Sequence, residues 1–142
     1  MTRGVDAYRR TEAQSASPMQ LVVMLYDGAL RFLTEAQAAQ ATGDLPRRAH
    51  ALRRVAAIIA ECHSTLDLEQ GGTVAAELDR LYSYVSERLL DVTVKKDVTA
   101  IDEIHRLLTP VRNAFAEAAA QSVMAAAAVP PPAPVNVGVT SR

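Results

Sequence analysis

Glycine and proline mark where this 142-residue chain must break or turn, and they fall at few places. Pro18, the Gly43 to Pro46 stretch, Gly71-Gly72 and the prolines from Pro130 onward bound long segments that contain Gly28 and Pro110 as their only such residues. Those segments carry apolar residues three and four positions apart, the period of a helix with one buried stripe. Ser17-Pro18-Met19-Gln20 has the form of a helix start. Ser17 is placed to cap free amides, Pro18 suits the first helical position, and Gln20 completes a capping box. This first helix is expected to run to about Thr42 and end on a left-handed Gly43.

Asp44 is expected to cap a second helix with Pro46 in its first turn and a seam of Leu52, Val55, Ile59, Cys62 and Leu66. Gly71-Gly72 should end it, with Thr73 capping a third helix along Val74, Leu78, Leu81, Val85, Leu89 and Val92. Lys95-Lys96 closes that helix where positive charge suits the dipole. Asp97 or Thr99 opens a fourth, with Ile101, Ile104, Leu108, Val111, Phe115 and Ala118 on its stripe. Within it Pro110 removes the bond to the Arg106 carbonyl and predicts a kink. Short connections make successive helices antiparallel neighbours, so the expected fold is an all-α antiparallel four-helix bundle over residues 17–122. Residues 1–16 are expected to be an N-terminal arm or short helix. Residues 123–142, an Ala-rich run leading into Val129-Pro130-Pro131-Pro132-Ala133-Pro134, are expected to be a disordered tail.

Composition agrees. Aromatic residues make up 4% and Trp is absent, which favours helix over strand. The formal net charge of −1 gives no general pull toward nucleic acid or anionic membrane. The lone Cys62 excludes an intrachain disulfide and fits a reducing compartment. The N-terminus lacks the apolar stretch of a secretory signal, and the run Leu21 to Tyr26 is too short to span a bilayer, so a cytoplasmic location and no membrane insertion are expected.

The first helix has more apolar residues than one face can bury. If Leu25, Gly28 and Phe32 face the core, Val22, Met24, Tyr26 and Leu33 need another cover, either further helices of the bundle or a partner helix. On the third helix, Tyr82 and Tyr84 cannot both share the Leu81–Val85 seam, and tyrosine suits core margins and interfaces alike. Gly28 inside a helix points to close approach of another helix, while Asp27 has a neighbouring Tyr or Arg or solvent as its options. Helical position makes Ile58 and Leu66 candidates for lining a groove.

Catalytic machinery is not visible, and no cofactor or metal is expected. Asp102 and His105 share a face, but a carboxylate-bridged bundle site needs two acid–histidine pairs and inward carboxylates from all four helices. Cys62 and His63 are adjacent and face apart. Gly71-Gly72 lacks the lysine of a phosphate loop. Arg47, Arg48, Arg53 and Arg54 lack aromatic interleaving and read as a solvated face, with no nucleic-acid role.

Taken in order, several pieces resemble the FliS family of flagellar secretion chaperones over residues 5–121. They are Ala7-Tyr8, Ser17-Pro18-Met19-Gln20-Leu21, Met24-Leu25-Tyr26-Asp27-Gly28-Ala29, Leu66-Asp67 leading to Gly71-Gly72, Leu78 with Leu81-Tyr82-Ser83-Tyr84, and Arg88-Leu89. The resemblance implies a helical bundle that binds the disordered C-terminal segment of flagellin in apolar grooves. Its effect would be to block premature polymerisation and keep flagellin ready for export. It implies that Tyr8 matches an N-terminal tyrosine suited to folding over the groove, that Tyr26 and Asp27 belong to the LYDG element, and that Tyr82 and Tyr84 form the later tyrosine pair. Phe115 stands where the family commonly has Trp, and Pro110 departs from a continuous last helix. The expected partner-facing set is therefore Tyr8, Val22, Met24, Tyr26, Asp27, Ile58, Leu66, Leu81, Tyr82 and Tyr84. A helical adaptor for a different protein is the alternative, and an unfilled groove is also able to pair two copies into a homodimer.

Overall fold

In the computed structural model, which describes residues 17–128, four helices follow one another: α1 Pro18–Thr42, α2 Leu45–Ser64, α3 Gly72–Val94 and α4 Thr99–Ala128. The first helix starts as its sequence dictates. The Gln20 amide donates to Ser17 Oγ at 3.1 Å, and the Ser17 amide donates to Gln20 Oε1 at 2.8 Å. Its end is the left-handed Gly43, φ 75°, whose amide reaches the carbonyls of Ala39 and Gln40. Asp44 then caps α2 through the Arg47 amide.

The α2–α3 connection differs from expectation. Helix α2 ends at Ser64, several residues before the glycine pair, and Gly71 rather than Thr73 takes the N-cap position of α3. Asp67 organises the turn by accepting from the amides of Glu69 and Gln70, and the Gly71 amide closes onto the Asp67 carbonyl at 2.7 Å. A Cβ on Gly71 would lie 2.5 Å from the Ala75 Cβ and 2.6 Å from the Asp67 carbonyl oxygen. Since one of these is backbone, it cannot yield without moving the turn. Gly71→Ala is expected to cost about 1–3 kcal/mol, read as a lowered urea midpoint; an unchanged midpoint would show that the turn is softer than its packing implies.

Cross-helix contacts set the topology. Glu35 meets Arg47 and Gly28 faces Ile58, so α1 and α2 run antiparallel. His63 bonds Asp79 across α2 and α3, and Arg88 bonds Glu103 across α3 and α4. Gln37 reaches Asp102 and Asp27 reaches Arg112, which closes α4 back onto α1. The result is an all-α antiparallel bundle. Its core is built from Tyr26, Ala29, Leu33 and Ala36 on α1, Val55 and Ile59 on α2, Tyr82, Val85 and Val92 on α3, and Ile101, Ile104 and Leu108 on α4. A Cβ on Gly28 would approach Ile58 Cδ1 at 3.3 Å, so the glycine lets α2 come close, as its place inside a helix suggests.

The α1 core stripe is not the one expected. Tyr26 and Leu33, expected off the core face and covered by further helices or a partner, are 1% and 0% exposed, so the bundle's own helices cover them. Leu25 and Phe32 instead lie half-buried at its flanks. Alanines at positions 29, 36 and 39 explain the shift, because they complete the Tyr26–Leu33 stripe with residues small enough for close helix packing. Helix α4 is unbroken through Pro110 and continues past residue 122 to Ala128, so the residues 123–128 expected in the tail are helical. Pro110 and Arg106, the residue whose carbonyl it cannot bond, are both exposed.

One charged network fixes the α3–α4 turn. Arg88 bonds Asp91 at 2.8 Å, Asp97 at 3.0 Å and Glu103 at 2.7 Å. Bonds from the Tyr84 hydroxyl and then from Arg88 hold the Glu103 carboxyl below its ordinary range. The Thr99 hydroxyl and then Arg88 do the same to Asp97. Both folded-state values lie below the unfolded ones, so this stabilisation is complete above the ordinary 3.8 and 4.5 and is lost as pH falls toward the lowered values. Thermal melts between neutral pH and pH ~3 are expected to fall steeply at the acid end, and less steeply in Glu103→Gln. Equal slopes in the two proteins would remove Glu103 from the acid response.

Candidate functional site

An apolar furrow opens at the end of the bundle that holds the starts of α1 and α3. One part of it, about 260 Å³, is walled by Val22 and Leu25 of α1, Leu66 of the connection, Val74 and Leu78 of α3, and Phe115 of α4. Val74 and Leu78 also line two adjoining hollows, one reaching Met19 and Ala118, the other reaching Leu81, Pro110 and Val111. The three merge into one strip along the α3/α4 seam. Positions 74–81 of α3 rise about 10 Å, the length of two helical turns. Val74, at the centre of this apolar strip, is 64% exposed. Carboxylates stand at the edge, Asp67 at one end and Glu77 at the other.

Beneath the furrow lies a buried polar pair. The hydroxyls of Tyr26 and Tyr82 share a 2.8 Å hydrogen bond across the bundle. Phe115 packs its ring 5.6 Å from Tyr26, and His63 sits 5.6 Å from Tyr82. Burial pushes the Tyr82 hydroxyl up to about 12, and burial and then the Glu61 charge push the Cys62 thiol up to about 11. Both groups are therefore protonated near neutral pH. Cys62 is a neutral core thiol, not an activated nucleophile.

The expected partner-facing residues separate into groups. Val22, Leu66 and Leu81 line the furrow. Tyr82 forms its floor and Tyr26 lies directly below, both in the core rather than on a spare outer face. Asp27 sits at the α1–α4 edge in a two-point ion pair with Arg112, at 2.7 and 3.3 Å. Ile58 packs on Gly28 between α1 and α2, away from the furrow. Met24 is 53% exposed on the side of α1 opposite the core, and Tyr84 is turned to Glu103. Tyr8 lies outside the described residues.

Val74, Leu78 and Phe115, the centre of the furrow, had read as core stripe. The available signal was the width of that stripe: Val74, Ala75, Leu78, Leu81, Tyr82 and Val85 cover two adjacent faces of α3. Only the Ala75–Tyr82–Val85 face is buried. Among the described residues no group of three or more His, Cys, Asp or Glu is arranged to hold a metal. No described helix is long and apolar enough to cross a membrane.

A helical bundle that keeps an apolar furrow open on its surface has the form suited to holding an apolar segment. The chain matches the family Flagellar protein FliS over residues 1–122, and it belongs to that family. It is 36% identical over 117 residues to the flagellar secretion chaperone FliS of Salmonella typhimurium, covering 79% of this chain and 87% of that protein. The flagellar secretion chaperone FliS of Campylobacter jejuni is 33% identical over 112 residues, with 79% and 88% covered. FliSB of Pseudomonas aeruginosa, also a flagellar secretion chaperone, is 31% identical over 104 residues, with 73% and 82% covered.

Proposed function

We propose that this protein is a cytoplasmic export chaperone that holds the C-terminal segment of flagellin in the α3/α4 furrow and so prevents premature polymerisation. The observation that carries the reading is the open apolar strip of Val74, Leu78 and Phe115. A flexible guest that becomes helical on binding can lay apolar side chains one turn apart along such a strip. Val22, Leu66 and Leu81 supply the walls, Tyr26 and Tyr82 stiffen the floor, and the Asp27–Arg112 pair holds α1 against α4.

Calorimetry with the purified full chain and a C-terminal fragment of the organism's own flagellin tests this. One-to-one binding with a negative heat-capacity change is expected, since ordering and apolar burial accompany association. No heat of binding with both proteins at about tens of micromolar, where even a micromolar complex would saturate, would overturn it.

A further inference from the structure

A second hollow, about 470 Å³, lies between the N-terminal half of α2 and the C-terminal half of α3. It shares no lining residue with the furrow. Leu52 and Leu89 form its floor, and Leu90, 64% exposed, stands at its edge. Ala49 and Ala56 are small, so a helix laid there can approach to roughly 8 Å between axes. Between positions 48 and 56, α2 rises about 12 Å, enough to seat two turns.

The rim decides what fits. Arg48 and Arg53 stand along the α2 side. Neither pairs with a carboxylate among the described residues. Arg48 donates from Nη1 to the neutral Gln40 Oε1, while its Nε is buried with no partner. The furrow has the opposite edge, with Asp67 and Glu77. A helix with acidic flanks is attracted to one site and repelled by the other, so the two sites are built for different occupants.

We infer that the α2/α3 groove seats an amphipathic helix of a second protein, apolar on one face and flanked by carboxylates, while the furrow is filled by its own guest. The two sites occupy opposite ends of α3, which permits both to be occupied at once.

The probe is a fluorescein-labelled synthetic helix of about three turns, with leucines one turn apart and flanking glutamates, titrated with the full chain. Its twin carries lysines in place of the glutamates. Saturable binding of the acidic peptide is expected, weakened by added salt and at least about tenfold by Arg53→Glu or Leu90→Asp. Both substituted positions are exposed, and unchanged melting curves check that the fold is kept. Val74→Asp, and a saturating flagellin fragment, should leave this binding intact. Four results overturn the inference. The first is equal binding of the lysine twin, and the second is no saturable binding of the acidic peptide. The third is displacement of the peptide by the flagellin fragment, which would put the groove on that guest's own path. The fourth is a concentration-dependent dimer of the free chain abolished by Leu90→Asp, which would make a second copy the occupant. Because Val74→Asp reads the furrow alone, failure at either site is told apart from failure at the other.

Discussion

Tyr26→Ala is expected to lower the stability of the bundle by about 3–5 kcal/mol, comparable to truncating a large buried aromatic. Against a total of roughly 5–15 kcal/mol for a domain, that leaves a large unfolded fraction at physiological temperature. The cause is specific: Tyr26 is 1% exposed, packs on Phe115 and shares a buried hydrogen bond with Tyr82. Tyr26→Phe separates the two contributions. It keeps the ring but leaves the Tyr82 hydroxyl without that partner, at a cost of about 1–3 kcal/mol. Removing both hydroxyls in Tyr26→Phe/Tyr82→Phe should return stability to within about 1 kcal/mol of the parent, because no buried polar group is then stranded. Urea titrations of the parent, Tyr26→Ala, Tyr26→Phe, Tyr82→Phe and the double variant measure this directly. A double variant weaker than the sum of the two singles would show that the hydroxyls serve something beyond each other.

Val74→Asp is the matching functional test. The side chain is 64% exposed, so the charge costs the fold little, and the melting temperature is expected to stay within a few degrees of the parent. In a complex the same carboxylate would be buried against an apolar guest beside Glu77. Affinity for the flagellin fragment is expected to fall at least about tenfold, or 1.4 kcal/mol, through faster dissociation. Retained affinity with an intact fold would move the guest away from the α3/α4 seam.

The helices were readable from the chain because their signals are local. Ser17 with Gln20, Gly43 and Asp44 are contacts over three or four residues, and each occurs as its spacing implies. The α2 seam from Leu52 to Cys62 is likewise buried throughout, because that helix has one apolar face and one polar face. Reading failed where a segment offered more than one apolar face. On α1 the true stripe ran through alanines, which carry little hydrophobic weight, so the bulkier Leu25 and Phe32 seemed the core. At Gly71 the constraint is a carbonyl four residues back, which spacing alone does not reveal.

The candidate site shows the same division. Composition and pattern establish a helical bundle with surplus apolar surface, since periodicity is a property of each helix by itself. Which surface stays uncovered depends on how far apart the helix ends lie. Only the tertiary structure placed Val74, Leu78 and Phe115 at an opening and Tyr26 and Tyr82 beneath it. Equal hydrophobicity can end in a core or in a furrow, and the difference is whether a neighbouring helix fills the space in front of it.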